Sequence, residues 1–390
     1  METTSVFEGT VCPATGEQFD PGTGHHPEGR PLDAAYDYDA IALSREDLAA
    51  RPPGLGKYAE LLPFPPSARF DLGQGATPLV EAPELAAALD VGRVLIKDEG
   101  ANPTGTFADR GLALSAAAAA QHGAEDVALA STGDAAQSAA ACAARAGLES
   151  HAFVPTRSTF VNKAMVNVHG GDMRVVEGRY PDARESLEGA LTEESWYSLQ
   201  PFATPYRHEG AKPIAFELLE ALDWEPPEAV FYPFEGGAGL VGIHKGAREL
   251  RELGLVDSLP PLFACQSTDC APVVEAFEAG AASHDPWEVP DTVCGGLEIP
   301  DPAGGELIQT ALRESDGGAV ATDDDDILES AAAVASREGI EMGVSAAAAA
   351  SAAWAVADRF GADDTLVLVN TSAGNKDADI LRSHLMGQGL

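Results

Sequence analysis

Basic side chains and long apolar segments are both scarce in this sequence. Its 390 residues include 62 acidic but only 24 basic side chains, which gives a formal net charge of −38 at pH 7. Such a chain repels the phosphates of DNA and RNA, so we exclude nucleic acid as a partner. The Ala-rich stretches at 115–120 and 346–353 are too short to span a bilayer, which argues against a membrane protein. The first residues lack a basic segment followed by an apolar one, so we expect no signal peptide and a cytoplasmic location.

Cysteine is also rare, and its spacing is irregular. An odd number of five argues against a disulfide framework and indicates reduced, mostly buried thiols at Cys12, Cys142, Cys265, Cys270 and Cys294. Hydrophobic residues make up 45% of the chain, which is too many for a disordered protein. The excess negative charge therefore indicates a folded protein with an acidic surface. Because concentrated salt screens the repulsion within such a surface, we expect a halophilic source.

Short apolar runs alternate with longer Ala- and Leu-rich segments from about residue 70 onward. Strands are predicted at 93–96, 127–130, 150–154, 229–232, 262–265 and 366–369. Helices are predicted at 111–121, 137–146 and 240–253. This alternation predicts an α/β fold with parallel strands and helices on both faces of the sheet, in which ligands bind beyond the carboxyl ends of the strands.

The region before residue 70 has a different composition. Residues 1–40 are rich in Gly, Pro and His and show no helical period, whereas residues 41–69 read as a connector with Pro-rich ends. We therefore divide the chain into residues 1–40, residues 41–69 and an α/β region at 70–388.

Three loops after predicted strands carry the residues suited to chemistry. They lie at 97–110, 131–138 and 233–240, and the third contains Gly236, Gly237 and Gly239 immediately before a helix. Free backbone N–H groups and the positive end of a helix dipole suit a phosphate. One such loop is a weak indication by itself, because tight strand-to-helix turns often need glycine for conformational reasons alone.

Taken together and in this order, the three loops resemble those of the threonine synthase branch of the fold-type-II pyridoxal-phosphate (PLP) enzymes. Residues 97–111 (K-D-E-G-A-N-P-T-G-T-F-A-D-R-G) are similar to that family's K-D-E-G-x-N-P-T-G-S-F-K-D-R-G, and residues 131–140 to its S-T-G-N-T-x-x-S-A-A. Further similar segments lie at 75–80, 206–212, 338–340 and 371–377. The resemblance implies the fold-type-II architecture, which has two α/β domains with mostly parallel sheets. The smaller domain lies at about 111–200. The resemblance also implies PLP as the family's cofactor.

The resemblance also identifies positions at which this chain departs from the family. The lysine that forms the family's Schiff base with PLP is Ala108 here, and a methyl group neither forms an imine nor transfers a proton. The other cofactor-binding positions implied by the resemblance are Asp134, Gly236, Gly237, Ala238, Gly239 and Thr371. Asp134 replaces an asparagine beside the PLP hydroxyl, where a carboxylate repels a phenolate oxygen. Glu235 and Ala238 replace two glycines, and a carboxylate in a phosphate site is unfavourable unless it points outward.

Other family positions keep their charged or polar residues. Arg207 and Lys245 are basic residues at cleft positions of the family, which favours binding of a small anionic metabolite as strongly as it favours a structural role. For Asp109, Arg110 and Thr371 we prefer the structural interpretation, in which they form hydrogen bonds at helix starts and strand ends, although the resemblance places Thr371 beside the pyridine nitrogen.

The sequence offers no obvious replacement for the missing lysine. Its lysines are Lys57, Lys97, Lys163, Lys212, Lys245 and Lys376. Lys97 and Lys212 match lysines that the family already has, so the resemblance gives neither a new role. We therefore expect covalent PLP chemistry to be lost.

The first forty residues resemble a zinc ribbon that has lost most of its cysteines. The positions of the four ligands read Cys12, Thr15, His25 and Glu28, whereas a structural zinc site takes four Cys or His ligands. We predict a degenerate ribbon without tightly bound zinc, no other metal site, and exposed side chains for His25 and His26.

These observations predict a threonine synthase-like protein that lacks the PLP lysine and is catalytically inactive or repurposed. As partners we expect a small anionic metabolite and either a second copy of the chain or a related active enzyme, because members of the family are commonly dimers. The alternative is an active PLP-dependent lyase that converts O-phosphohomoserine to threonine. That alternative requires a native lysine where this chain has Ala108, or another lysine acting in its place.

Overall fold

A computed structural model describes residues 1–387 of the chain. Its strands are β1 (Phe7–Val11), β2 (Gln18–Phe19), β3 (Asp33–Tyr36), β4 (Leu79–Glu81), β5 (Arg93–Asp98), β6 (Asp126–Ala130), β7 (Glu149–Pro155), β8 (Asp172–Val176), β9 (Tyr197–Ser198), β10 (Ala229–Pro233), β11 (Leu262–Ser267), β12 (Gly318–Thr322) and β13 (Thr365–Asn370). Its α-helices are α1 (Arg45–Ala49), α2 (Pro83–Leu89), α3 (Ala108–Gln121), α4 (Asp134–Ala146), α5 (Phe160–Val168), α6 (Tyr180–Glu193), α7 (Tyr206–Ala211), α8 (Pro213–Ala221), α9 (Ala238–Glu252), α10 (Pro272–Glu278), α11 (Gly305–Glu314), α12 (Asp324–Glu338), α13 (Ala348–Ala355) and α14 (Ala378–Gly387).

The chain divides into two compact units, each built from several chain segments. Unit 1 comprises Met1–Ala76, Ala108–Glu217 and Val241–Asp257. Unit 2 comprises Thr77–Phe107, Leu218–Leu240 and the described residues from Ser258 onward.

Unit 1 contains two sheets. The larger has the strand order β8-β7-β6-β9 with all neighbours parallel, and the smaller is an antiparallel sheet of order β2-β1-β3. Helices α3 and α4 supply many small side chains to the core beside the larger sheet, including Ala116, Ala139 and Ala143. Small residues allow the backbones of packed helices and strands to approach closely, so these Ala-rich segments are core helices.

Unit 2 is built around one six-stranded sheet. Its strand order is β12-β11-β10-β13-β5-β4, and every neighbouring pair is parallel except β4 with β5. The central strand β10 is buried along its whole length, which explains its continuous apolar sequence. Helix α13 adds buried alanines to the same core.

The predicted α/β architecture is confirmed, and all six predicted strands are present as β5, β6, β7, β10, β11 and β13. Helices α3 and α4 each begin three residues earlier than predicted, at Ala108 and Asp134. Residues 1–40, for which no helical period was found and no strand bounds were predicted, contain β1 to β3. All five cysteines are buried and unpaired, as expected.

Helix α12 shows how local sequence sets an element's bounds. The Asp323 side chain accepts a hydrogen bond from the Asp326 N–H, and three further carboxylates fill the first turn, where they favour the positive end of the helix dipole. Gly339 ends the helix with a left-handed φ of 71°, which glycine adopts without strain. The acidic run at 323–326 is thus a helix start. In the part of the chain that the structure describes, no helix is both long and apolar enough to cross a membrane.

Candidate functional site

Ala108 is the first residue of α3 in unit 1 and is buried. The two charged residues after it are held inside the same unit. Asp109 accepts a hydrogen bond of 2.5 Å from the Ser138 hydroxyl, and Arg110 forms two hydrogen bonds, of 2.8 and 2.7 Å, with the carboxylate of Glu217. A fully buried guanidinium paired in this bidentate way is a strong structural contact. These contacts support the structural interpretation of Asp109 and Arg110.

Asp134 begins helix α4, also in unit 1, directly after Gly133. Its Oδ1 accepts a hydrogen bond of 2.7 Å from the side-chain amide of Asn162. Gly133 has a φ of 149°, and a Cβ there would lie 2.8 Å from the same amide nitrogen. The glycine therefore permits the close approach of Asn162, which fixes the orientation of the Asp134 carboxylate.

The glycine loop lies in unit 2, between β10 and α9. Gly237 has a φ of 89°, and a Cβ on it would lie 2.9 Å from the Phe234 ring. A Cβ on Gly239 would overlap the hydroxyl of the buried Tyr232. Both glycines are thus required by packing inside the unit. Ala238 is the first residue of α9, and Gly236 adopts a φ of 100°.

Glu235 of this loop turns toward the interior of unit 2. The buried hydroxyl of Thr371 donates a hydrogen bond of 2.7 Å to Glu235 Oε1. The carboxyl carbon of Glu235 also lies 3.2 Å from where a Cβ on Gly296 would be, so Gly296 makes room for it. The sequence left the direction of this side chain open. Within unit 2, the carboxylate and the Thr371 hydroxyl form a direct pair, and the structure thereby joins Thr371 to the glycine loop.

Lys245, one of the two cations predicted to bind an anion, is surrounded by oxygen atoms of its own unit. Its ammonium lies 2.6 Å from an oxygen of Asp33, 2.6 Å from one of Glu209 and 2.7 Å from the carbonyl of Ala34. Burial lowers the pKa of Lys245, but the neighbouring carboxylates outweigh burial and hold that pKa above its ordinary value. The ammonium is therefore charged and internally paired. The binding of a substrate anion by Lys245 stays a prediction.

The ion pairs of Lys245 extend into a larger buried cluster, which we call the unit 1 charge cluster. Besides Asp33, Glu209 and Lys245, it includes Lys212, Glu249, His208 and the hydroxyls of Tyr36 and Tyr38. Lys212 lies 2.7 Å from Glu209 and 2.8 Å from Glu249. Burial raises the pKa of Asp33, yet Lys245 and His208 overcome that effect and hold this pKa far below its ordinary value.

The unit 1 charge cluster contains a triad whose donor atoms resemble a metal site. Donor atoms of Asp33, His208 and Glu209 all lie within 4.8 Å of one another. The Lys245 ammonium bridges Asp33 and Glu209 at 2.6 Å from each, which is where a metal ion would bind. The Lys245 ammonium thus supplies the positive charge that a metal ion would bring to this triad.

Sequence analysis did not predict that these charged residues form one cluster. Asp33 is separated from Lys245 by 212 positions along the chain, and no local pattern connects them. The one local pattern that could have indicated part of it is the three-residue spacing of Glu209, in α7, and Lys212, which caps the end of that helix.

Arg207 is the second cation predicted to bind an anion. It lies on α7 of unit 1 and is buried, and its Nη1 donates a hydrogen bond of 3.0 Å to the carbonyl of Leu199. The same helix packs closely on α3, since a Cβ on Gly111 would lie 2.5 Å from the Arg207 carbonyl oxygen. Substrate binding by Arg207 stays a prediction.

The amino-terminal segment forms the antiparallel sheet of β1 to β3, and its relation to a zinc ribbon stays a prediction. Cys12 is buried, and a hydrogen bond with the Thr15 side chain lowers the pKa of its thiol against the raising effect of burial. His25 is exposed, as predicted. The prediction for His26 is wrong, because this ring is buried beside Phe19 and its Nδ1 accepts a hydrogen bond of 3.0 Å from the Glu28 N–H.

Comparison with known proteins places the chain in a family. The family model described as "Pyridoxal-phosphate dependent enzyme" matches residues 70–372. The threonine synthase of Methanosarcina acetivorans is 33% identical over 349 residues, covering 89% of this chain and 86% of the relative. The threonine synthase of Methanocaldococcus jannaschii is 33% identical over 359 residues, covering 89% and 87%.

Solved structures support the same fold. The processed form of threonine deaminase isoform 2 from Solanum lycopersicum matches with a TM-score of 0.68 and 19% identity, covering 79% of this chain and 82% of that one. Maize serine racemase matches with a TM-score of 0.64 and 17% identity, covering 80% and 94%. On these matches and on the relatives above, the chain belongs to the pyridoxal-phosphate-dependent enzyme family of fold type II, as a threonine synthase-like member.

Proposed function

We propose that this chain is a threonine synthase-like protein that forms no covalent bond to PLP and is therefore catalytically inactive or repurposed. The observation that carries the proposal is Ala108, which stands where the resemblance requires the Schiff-base lysine, inside an otherwise matching motif. A buried methyl group supplies neither a nucleophile nor a proton carrier.

The glycine loop supports the same proposal, because it carries the carboxylate of Glu235 where the resemblance places the cofactor's phosphate. The resemblance assigns Thr371 to the pyridine nitrogen and the loop to the phosphate. Here the Thr371 hydroxyl donates to the carboxylate of Glu235, a residue of that loop. A phosphate brought within about 4 Å of this carboxylate would meet a repulsion of about 4 kcal/mol or more per charge at an effective dielectric constant near 20. The Glu235 carboxylate therefore disfavours an anionic phosphate at this loop.

Four of the six lysines provide further support. Lys97 is buried and donates to the Thr77 carbonyl at 2.7 Å. Lys212 and Lys245 are both paired with carboxylates in the unit 1 charge cluster. Lys163 donates to the Thr156 carbonyl at 2.8 Å. For Lys212 and Lys245, reaction with an aldehyde would require a neutral amine and thus the loss of two short ion pairs each.

The test is a PLP titration of the protein in concentrated KCl, followed by borohydride reduction and peptide mass spectrometry. We expect no lysine to be specifically labelled while circular dichroism shows an intact fold. One lysine labelled in a saturable manner would contradict the proposal and identify the residue that replaces the family's lysine. A parallel assay measures phosphate release from O-phosphohomoserine, for which we expect no activity.

The competing function is an active threonine synthase. It is favoured by one observation, the 33% identity to two archaeal threonine synthases over most of both chains. It requires a lysine in place of Ala108, or another lysine acting there. Phosphate release from O-phosphohomoserine together with a specifically labelled lysine would establish it.

We further propose a small anionic metabolite as ligand, with Arg207 as the better-supported of the two cations. Lys245 already has three short contacts with oxygen atoms of its own unit. The probe is inorganic phosphate, titrated against the wild-type protein and Arg207→Gln. Equal binding by both proteins would contradict the role of Arg207.

The proposal also covers the protein's cellular location and its assembly. The net charge of −38 supports a halophilic cytoplasm. A homodimer, or a complex with a related active enzyme, is the proposed assembly. Light scattering in concentrated KCl tests the homodimer, and a monomer would contradict it.

A further inference from the structure

A cavity of about 360 Å³ lies in unit 2 between helices α12 and α13. The end of β12, at Thr322, contributes to its lining, together with Asp326, Glu329 and Ser330 of α12 and Ser351 and Trp354 of α13. The α12 residues are spaced three and four apart, so they share one face of that helix. The volume falls within the range of protein sites for small molecules. None of these residues belongs to the loops at 97–110, 131–138 or 233–240.

The inner part of the cavity is lined by hydroxyl groups. Ser351 and Thr322 are buried, and the Ser351 hydroxyl donates to that of Thr322 at 2.8 Å. Ser330 is 6% exposed and lines the same cavity. The Ser330 hydroxyl is therefore available to form a hydrogen bond with an occupant of the cavity.

The outer part of the cavity combines negative charge with an aromatic surface. Asp326 and Glu329 are exposed acidic residues of its lining, and Trp354 is half-buried beside them. The lining contains no lysine or arginine. Carboxylates form charge-assisted hydrogen bonds with ammonium groups, and the face of an indole ring attracts cations.

From this arrangement we infer that the cavity is a binding site for a small organic cation. Its ammonium group binds at Asp326, Glu329 and Trp354, and a hydroxyl or second amine reaches Ser330 and the Ser351–Thr322 pair. An amino alcohol has both parts. The inference is independent of PLP chemistry, since it uses only residues of α12, α13 and β12.

The probe for this site is ethanolamine, titrated in concentrated KCl so that non-specific attraction to the acidic surface is screened. Ethylene glycol and acetate serve as neutral and anionic comparisons. The readouts are tryptophan fluorescence and titration calorimetry. We expect saturable binding of ethanolamine alone, and we expect Trp354→Phe to remove most of the fluorescence change.

Two variants separate this site from general attraction to an acidic protein. Asp326→Asn/Glu329→Gln should weaken ethanolamine binding by about tenfold or more, because the loss of even one charge-assisted hydrogen bond is worth roughly a factor of ten. Glu185→Gln/Glu193→Gln removes the same charge from exposed positions of α6 and should leave binding unchanged.

A third variant tests the cavity itself. Ala333→Leu adds volume to the lining and should abolish binding while circular dichroism shows an intact fold. The inference is overturned if the two acidic double variants bind equally well, if ethylene glycol or acetate binds as tightly as ethanolamine, or if Ala333→Leu binds like the wild type.

Discussion

Replacing Lys245 with methionine tests whether this lysine is primarily a structural cation. The ammonium contacts Asp33, Glu209 and the Ala34 carbonyl at 2.6 to 2.7 Å, and its side chain is only 10% exposed. Methionine keeps most of the apolar stem but leaves the Glu209 carboxylate, which is fully buried, with one ammonium partner instead of two. Breaking a buried ion pair by removing one partner costs about 3–5 kcal/mol.

That loss is a large part of the free energy of unfolding of a typical protein, which is about 5–15 kcal/mol. The assay is urea unfolding in concentrated KCl, followed by circular dichroism. Lys163→Met is the matched control, because Lys163 is also in unit 1 but has an exposed hydrogen bond to one carbonyl. We expect this control to change the free energy of unfolding by less than about 0.5 kcal/mol.

A second substitution sharpens the test of Lys245. In Lys245→Met/Glu209→Gln the uncompensated charge of Glu209 is removed as well, so the double variant should lose less stability than the sum of the two single variants. Equal midpoints for Lys245→Met and Lys163→Met would refute the reasoning. Lys245 would then be free for the anion-binding role that the resemblance assigns to it.

Three further predictions follow from other contacts. Ala108→Lys should form little covalent PLP adduct, whereas Ala108→Lys/Glu235→Gly should form more. The reason is that the second change removes the carboxylate beside the cofactor's implied position. Borohydride trapping measures the adduct in both variants, and equal labelling would contradict the role of Glu235. Burial raises the pKa of Glu249 to about 6 from an ordinary value of 4.5. The native state therefore holds this proton more tightly than the unfolded chain, so this group's contribution to stability is present below about pH 4.5 and is lost as the pH rises through about 6. In Glu249→Gln that fall should disappear from the pH profile of urea midpoints, and an unchanged profile would contradict the assignment. Gly239→Ala should destabilise the fold by roughly 1–3 kcal/mol through overlap with the Tyr232 hydroxyl, and Tyr232→Phe should recover part of the loss in thermal unfolding.

The central strands were predictable because of where they lie. Buried parallel strands such as β10 carry continuous apolar side chains, and this pattern is visible without knowledge of their neighbours. β8 is an edge strand with mostly exposed or half-buried residues, and it gave no such pattern. β1 to β3 lie among glycines and prolines, and antiparallel pairing between β1 and β3 joins residues more than twenty positions apart.

The candidate site was likewise predictable only in part. Ala108, Asp134 and Glu235 were recognisable as departures because the residues around them match a known motif. The partners of these side chains were not recognisable. Asn162 at Asp134 and Thr371 at Glu235 lie 28 and 136 positions away in the chain, and only packing brings them into contact.

The sequence by itself determined the α/β class, the family resemblance and the absence of a lysine at position 108, because these depend on residue identity and on local periodicity. The tertiary structure decided that Glu235 points inward, that Lys245 is paired inside unit 1, that His26 is buried, and that hydroxyls and carboxylates of α12 and α13 border one cavity. Each of these depends on the direction of a side chain and on contacts between distant segments. A side chain's charge can be read from its residue type, but its partner is set only when the chain has folded.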